Sequence, residues 1–182
     1  MRAGTFIAPP LAEGAPAFAE AMLWAGDLVV ATTPLRLSTV LGSCVSVCLY
    51  DRQRCFGGMN HFLVPRGNAT AHHGDWATAR LVDRMRQLGS TVESLESKIF
   101  GGGSPLRLEH ESLAVGAENV SMARHVLGRF GIPIVAERVG HGAGVRLFFE
   151  NWSGTVWLRA HAEGTPTRAR TSSRAAHAGV ST

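Results

Sequence analysis

The sequence predicts an α/β domain with a mostly antiparallel or mixed sheet system and two main helices packed on it. Short apolar runs rich in Val, Leu and Phe recur along the chain. Two longer segments carry helical period instead, and no internal repeat is present.

In chain order, residues 1 to about 21 mix Ala, Pro and Gly without strand or helix period and read as a loose arm. Strands are expected at about 27 to 31, 36 to 41, 44 to 50 and 55 to 64. The first helix follows, with Asp75 as N-cap, Leu81, Met85 and Leu88 on one stripe, and Gly89 as its stop. A strand at 92 to 100 leads to the second helix, about Ala117 to Phe130. There Val120, Ala123, Leu127 and Phe130 form the stripe and Gly131 the stop. Strands at about 132 to 138, 145 to 150 and 154 to 159 complete a body of about 22 to 160. Residues 161 to 182 lack an apolar pattern and read as a disordered basic tail.

A chain of 182 residues suits one domain, and 45% hydrophobic with 18% charged residues suits a packed core rather than disorder. Of the formal charge of +4, Arg159, Arg168, Arg170 and Arg174 against Glu163 place +3 in the last 24 residues. The body is therefore close to neutral and lacks the basic stripe of a nucleic-acid binder. No apolar run is long enough to span a bilayer, and no signal-peptide pattern precedes the body, so a cytoplasmic protein is expected. Three cysteines, an odd number, argue against a disulfide framework and suit a reducing compartment.

The chemistry concentrates in Leu41-Gly42-Ser43-Cys44-Val45 and in Asn60-His61. Val45, Val47 and Leu49 alternate with Cys44, Ser46, Cys48 and Tyr50, which places Cys44 at the start of a half-buried strand directly after a Gly-Ser turn. Glycine there frees the backbone to bring amide N–H groups to a developing oxyanion. A thiol needs a base or a positive field to react at neutral pH, and His61, in the next apolar segment, is the best-placed base. Cysteines and histidines beside apolar residues also serve as plain core groups, and Cys48 and Cys55 are read that way. Cys44 is expected to be the most reactive of the three thiols. A zinc tetrad of Cys44, Cys48, Cys55 and His61 fails on distance, because Cys44 and Cys48 would stand roughly 13 Å apart along a strand. The triple glycine at 101 to 103 lacks the Gly-Lys-Ser/Thr of a phosphate loop and reads as a tight turn that lines the substrate groove. His72 and His73 stay unassigned.

These residues resemble the chemoreceptor glutamine deamidases, the CheD family. The resemblance rests on four blocks in order. They are Leu41 to Val45 with Tyr50-Asp51, Asn60-His61 with Leu63-Val64-Pro65, Lys98 to Ser104, and Gly116-Ala117-Glu118-Asn119-Val120. It implies an α/β sandwich, Cys44 as nucleophile, His61 as general base and a hydroxyl residue shortly before the cysteine. Family members usually have threonine there. Counting back six positions from Cys44 lands on Ser38, with Thr39 next to it, and strand neighbours face opposite ways, so only one can reach the site. The count favours Ser38. Gly42, Ser43, Asn60 and Gly102 are the expected substrate-binding positions. The block Gly140 to Arg146 departs from the family pattern, its arginine either displaced to Arg146 or lost.

The implied function is conversion of receptor glutamine to glutamate through a thioester, with no cofactor and no metal. Methyl-accepting chemotaxis receptors are the expected protein substrate and a CheC-type phosphatase a further partner. A non-catalytic adaptor that docks on receptors or on that phosphatase, and a methylester hydrolase, are the competing readings.

Overall fold

The computed structural model describes residues 14–103, 110–140, 144–160 and 167–168. The expected arm up to residue 13 and nearly all of the expected tail lie outside them, as do residues 141–143 of the altered glycine block.

Ten strands and two helices are described. The strands are β1 (Ala19–Met22), β2 (Leu28–Ala31), β3 (Leu35–Leu41), β4 (Val45–Asp51), β5 (Phe56–Asn60), β6 (Leu95–Gly101), β7 (Ile134–Val139), β8 (Val145–Glu150), β9 (Val156–Ala160) and β10 (Thr167–Arg168). The helices are α1 (Gly74–Gln87) and α2 (His110–Phe130). One sheet has the order β1-β3-β8-β9-β10 and the other β2-β5-β4-β6-β7. Both are mixed: β1 runs parallel to β3 and β6 parallel to β7, while the remaining pairs are antiparallel. The α/β sandwich with mixed sheets is thus the observed architecture.

The period of β4 explains the layering. Val45, Val47 and Leu49 join Leu81, Met85, Ile99 and Leu127 in a core between the second sheet and the helices. Cys48 joins Leu37, Leu41, Met59, Phe100 and Phe149 in a second core between the two sheets. Each fully buried Leu or Phe here contributes about 1.5–3 kcal/mol, so β4, buried on both faces, is the hub of the fold.

Several boundaries differ from the sequence expectation, among them β10, a two-residue strand paired with β9 inside the segment expected to be a disordered tail. β1 straddles the end of the expected arm and the first residue of the expected body. It is a short, largely exposed edge strand, so it carries no apolar period. Helix α1 is N-capped at His73 without a side-chain bond, and Asp75 sits inside its first turn. The Val64 and Pro65 carbonyls accept the Gly74 and Asp75 N–H groups at 2.8 and 3.0 Å, so backbone replaces the side-chain cap. Helix α2 begins at His110, well before Ala117, and Gly116 lies within it as a close-packing position rather than a start. The run at 92 to 100 splits into a 3-10 turn, Val92–Ser94, and β6. Both helix stops hold: Gly89 and Gly131 have φ of +94° and +72°. The following N–H groups close Schellman bonds, Ser90 to the Met85 carbonyl and Ile132 to the Leu127 carbonyl.

Candidate active site

Cys44 is half-buried in the turn between β3, of the first sheet, and β4, of the second. The Gly42 N–H points at its Sγ, 3.5 Å away. The turn is anchored from the end of β6, where the Gly102 N–H donates to the Cys44 carbonyl and the Gly103 N–H to the Gly42 carbonyl, both at 2.8 Å. Gly101 makes this approach possible. Its φ is +104°, and a Cβ there would lie 2.2 Å from the Cys44 carbonyl oxygen.

His61 follows β5 on the neighbouring strand. Val45 and Phe62 exchange both backbone hydrogen bonds, at 3.1 and 3.0 Å, which sets Ser46 opposite His61 and makes Cys44 and His61 diagonal neighbours. Both face the interior between the sheets, where Cys44 packs on the inter-sheet core and His61 meets a residue of the opposite sheet.

That residue is Thr39, not Ser38. Thr39 is buried on the inner face of β3, its Oγ1 2.8 Å from His61 Nδ1 and 2.9 Å from the Leu23 carbonyl. Ser38 points the other way, onto the outer face of the first sheet with Glu20, Met22, Arg36 and Arg146. The gapless count therefore points to the neighbour that faces away from His61, because only the packing of one sheet on the other decides which face of β3 looks inward.

The Thr39 bonds assign the imidazole tautomer. Its single hydroxyl hydrogen goes to the Leu23 carbonyl, which can only accept, so Oγ1 must itself accept from Nδ1–H. Nε2 then carries the lone pair. It is buried and has no hydrogen-bond partner among the described residues. Burial pushes the His61 pKa below the ordinary imidazole value, outweighing the Leu23 carbonyl and the Asp27 carboxylate, which favour the charged ring. Burial also pushes the Cys44 thiol up, against the Gly42 and Cys44 amides, which favour the thiolate. Both shifts favour the neutral form of the group concerned.

The other expected positions divide. Gly42 and Ser43 form the turn that leads into Cys44. Gly102, φ +64°, is buried against Gly116 and Val120, so it supports that turn from behind rather than facing outward. Asn60, expected to bind substrate, is fully buried and braces the β4–β5 pair. Its Oδ1 accepts from the Val47 N–H at 2.8 Å, and its carbonyl accepts from Ser46 Oγ. Of the other thiols, Cys48 is fully buried between the sheets, and Cys55 is exposed in the β4–β5 hairpin with φ +54°. The His72 ring lies over Gly26, whose N–H donates to the His61 carbonyl at 2.7 Å. Sequence reasoning assigned no role to Asn119. From α2 its Nδ2 donates to the Ser43 carbonyl at 3.0 Å and to the Leu63 carbonyl at 2.8 Å. A polar residue on the buried side of α2, beside Val120 and one turn after Gly116, was the available signal.

Comparison with known proteins identifies the family. Residues 64–160 match the family described as CheD chemotactic sensory transduction. A protein of Anaeromyxobacter dehalogenans named "Probable chemoreceptor glutamine deamidase CheD 1" is 38% identical over 144 residues, covering 78% of this chain and 84% of that protein. Similarly named proteins of Sulfurimonas denitrificans and Rhodospirillum rubrum are 38% and 40% identical, covering 73% and 74% of this chain and 88% and 78% of theirs. An alignment spanning 78% of 182 residues necessarily includes both Cys44 and His61. Among solved structures, a Bacillus licheniformis hypothetical protein, YfiH, matches at a TM-score of 0.43 and 22% identity over 59% of this chain and 47% of that one. On the family match and the relatives together, this chain belongs to the CheD family.

Proposed function

We propose that the protein is a glutamine deamidase that converts glutamine side chains of chemotaxis receptors to glutamate. The names of its relatives support the substrate class. The observation that carries the chemistry is the Thr39–His61 bond, which leaves Nε2 as a free base on the face that also holds Cys44.

In this reading Nε2 takes the Cys44 thiol proton as sulfur attacks the carboxamide carbon, so a C–S bond forms and the carbonyl oxygen becomes an oxyanion. The imidazolium returns that proton to the nitrogen, the C–N bond breaks and ammonia leaves a thioester. Water, deprotonated by the same Nε2, attacks the thioester, and the C–S bond breaks to release glutamate and the thiol. Burial of both groups suits this route, because the thiolate is generated only as the substrate is attacked. The deamidase unit is the body of about residues 22 to 160 together with β1, acting in the cytoplasm, and a CheC-type phosphatase is a further partner. Among the described residues, no helix is long and apolar enough to cross a membrane.

Intact-mass analysis of a receptor cytoplasmic fragment incubated with the protein tests the proposal, since each event adds about one dalton and releases one ammonia. Methanol release from a methylated fragment without ammonia from an amidated one would favour the esterase reading. Binding with neither product would favour the adaptor.

A further inference from the structure

We propose that Asn119 is a positioning residue that turns the Ser43–Cys44 peptide so that the Cys44 N–H serves as oxyanion donor, an assignment resting on the deamidase reading above. Asn119 is fully buried, and both hydrogens of its Nδ2 are used, one on the Ser43 carbonyl and one on the Leu63 carbonyl. The opposite amide orientation would set its oxygen against two carbonyl oxygens, so the donor assignment follows from the partners. One side chain therefore joins the turn that carries Cys44 to the segment that carries His61.

The consequence for the nucleophile follows from peptide geometry. In a trans peptide the C=O and N–H point in opposite directions, and the described residues contain no cis peptide. With the Ser43 carbonyl held toward α2, the Cys44 N–H must point away from the helix. It has no backbone acceptor among the described residues. It lies instead on the side of its own thiol, as does the Gly42 N–H. Two convergent N–H groups beside a nucleophilic sulfur form the arrangement that stabilises a tetrahedral oxyanion.

The helix reaches the turn because two glycines meet. A Cβ on Gly116 would lie 2.6 Å from the Gly102 carbonyl oxygen, and one on Gly102 would lie 2.4 Å from Val120 Cγ2. Gly116 is one turn before Asn119, so this contact lowers Asn119 into the seam between the two catalytic segments. The residue keeps its Oδ1 buried without a partner among the described residues, a cost that an apolar residue of similar size would avoid.

The test compares Asn119→Ala and Asn119→Ser with the wild-type protein on a receptor fragment. We expect kcat to fall about 100-fold for the alanine variant, within the range for loss of an oxyanion donor. The serine variant, which keeps one donor, should fall less. KM should stay within about twofold, and alkylation of Cys44 by iodoacetamide, which forms no oxyanion, within about threefold. A cooperatively folded Asn119→Ala variant that keeps kcat within about threefold, or that loses alkylation in parallel with kcat, overturns the proposal.

A second measurement uses the wild-type protein and does not depend on either variant folding. A receptor peptide whose target carboxamide is replaced by an aldehyde adds the Cys44 S–H across its C=O, the sulfur bonding to carbon and the proton passing to oxygen. The Cys44 amide proton should then shift downfield, and an unmoved resonance in the adduct overturns the assignment. If the amide shifts but the wild-type protein releases no ammonia from any receptor fragment, the deamidase reading fails and the peptide orientation stands.

Discussion

Thr39 and His61 lie in different layers of the sandwich and meet at 2.8 Å across the inter-sheet core. The imidazole is therefore oriented by the sheet that does not carry it, and its tautomer depends on one hydroxyl whose own hydrogen is taken by Leu23. In the proposed mechanism this bond matters in the way an orienting group matters to any nucleophile–base pair.

Replacing Thr39 by Val should lower kcat by about 10- to 100-fold, because Nδ1 and Nε2 then compete for the proton. It should also destabilise the fold by about 1–3 kcal/mol, since the buried Leu23 carbonyl and Nδ1–H lose a partner. Ser38→Ala should leave turnover within about twofold. Steady-state kinetics and urea melts of both variants check the pair, and a Ser38 effect equal to that of Thr39 would sink the assignment.

In the proposed mechanism neutral His61 is the base, and burial lowers its pKa. As pH falls, kcat/KM should therefore persist through the ordinary imidazole range and decline only below it. The sign for stability is related: the unfolded chain takes up the His61 proton at a higher pH than the native one, so this group makes the fold less stable as pH drops through that window. The Cys44 thiol is shifted upward, so its alkylation rate should climb past the ordinary thiol range without a plateau near neutrality. Such a plateau in a pH–rate profile would instead reveal a preformed thiolate–imidazolium pair.

Gly101→Ala should be damaging, since a Cβ would meet the Cys44 carbonyl at 2.2 Å and φ is +104°. A loss of about 1–3 kcal/mol with loss of turnover is expected. Gly128 in α2 has nothing within 4 Å of an added Cβ, and Gly128→Ala should stabilise by about 0.5–1 kcal/mol. Thermal melts of the two variants should move in opposite directions.

Thiol labelling should not follow the order read from the sequence. Cys55 is exposed, Cys44 is half-buried with its thiol shifted upward, and Cys48 is fully buried. Substoichiometric iodoacetamide at neutral pH should mark Cys55 first, Cys44 more slowly and Cys48 only on unfolding. Activity loss should track the slower Cys44 peptide in mass mapping. Inactivation that instead followed Cys55 would move the nucleophile to the hairpin.

Local pattern carried much of this protein. The alternation from Cys44 to Tyr50 marked β4, glycines marked both helix stops, and the Gly-Ser-Cys turn and Asn-His pair marked the segments that the fold brings together. These features are set by neighbours in the chain, so they can be read without the fold. Other features lie beyond any local pattern. Ser38 and Thr39 are equally good strand hydroxyls until β8 and β1 fix the register of β3 and the second sheet packs on one of its faces. Asn60 looks like a site residue until its side chain is found bonded to β4, and the partners of Asn119 appear only when Gly102 and Gly116 bring α2 onto the Cys44 turn. A side chain's partner across a sandwich is decided by which surfaces bury together, and that is a property of the packed layers rather than of the sequence around it.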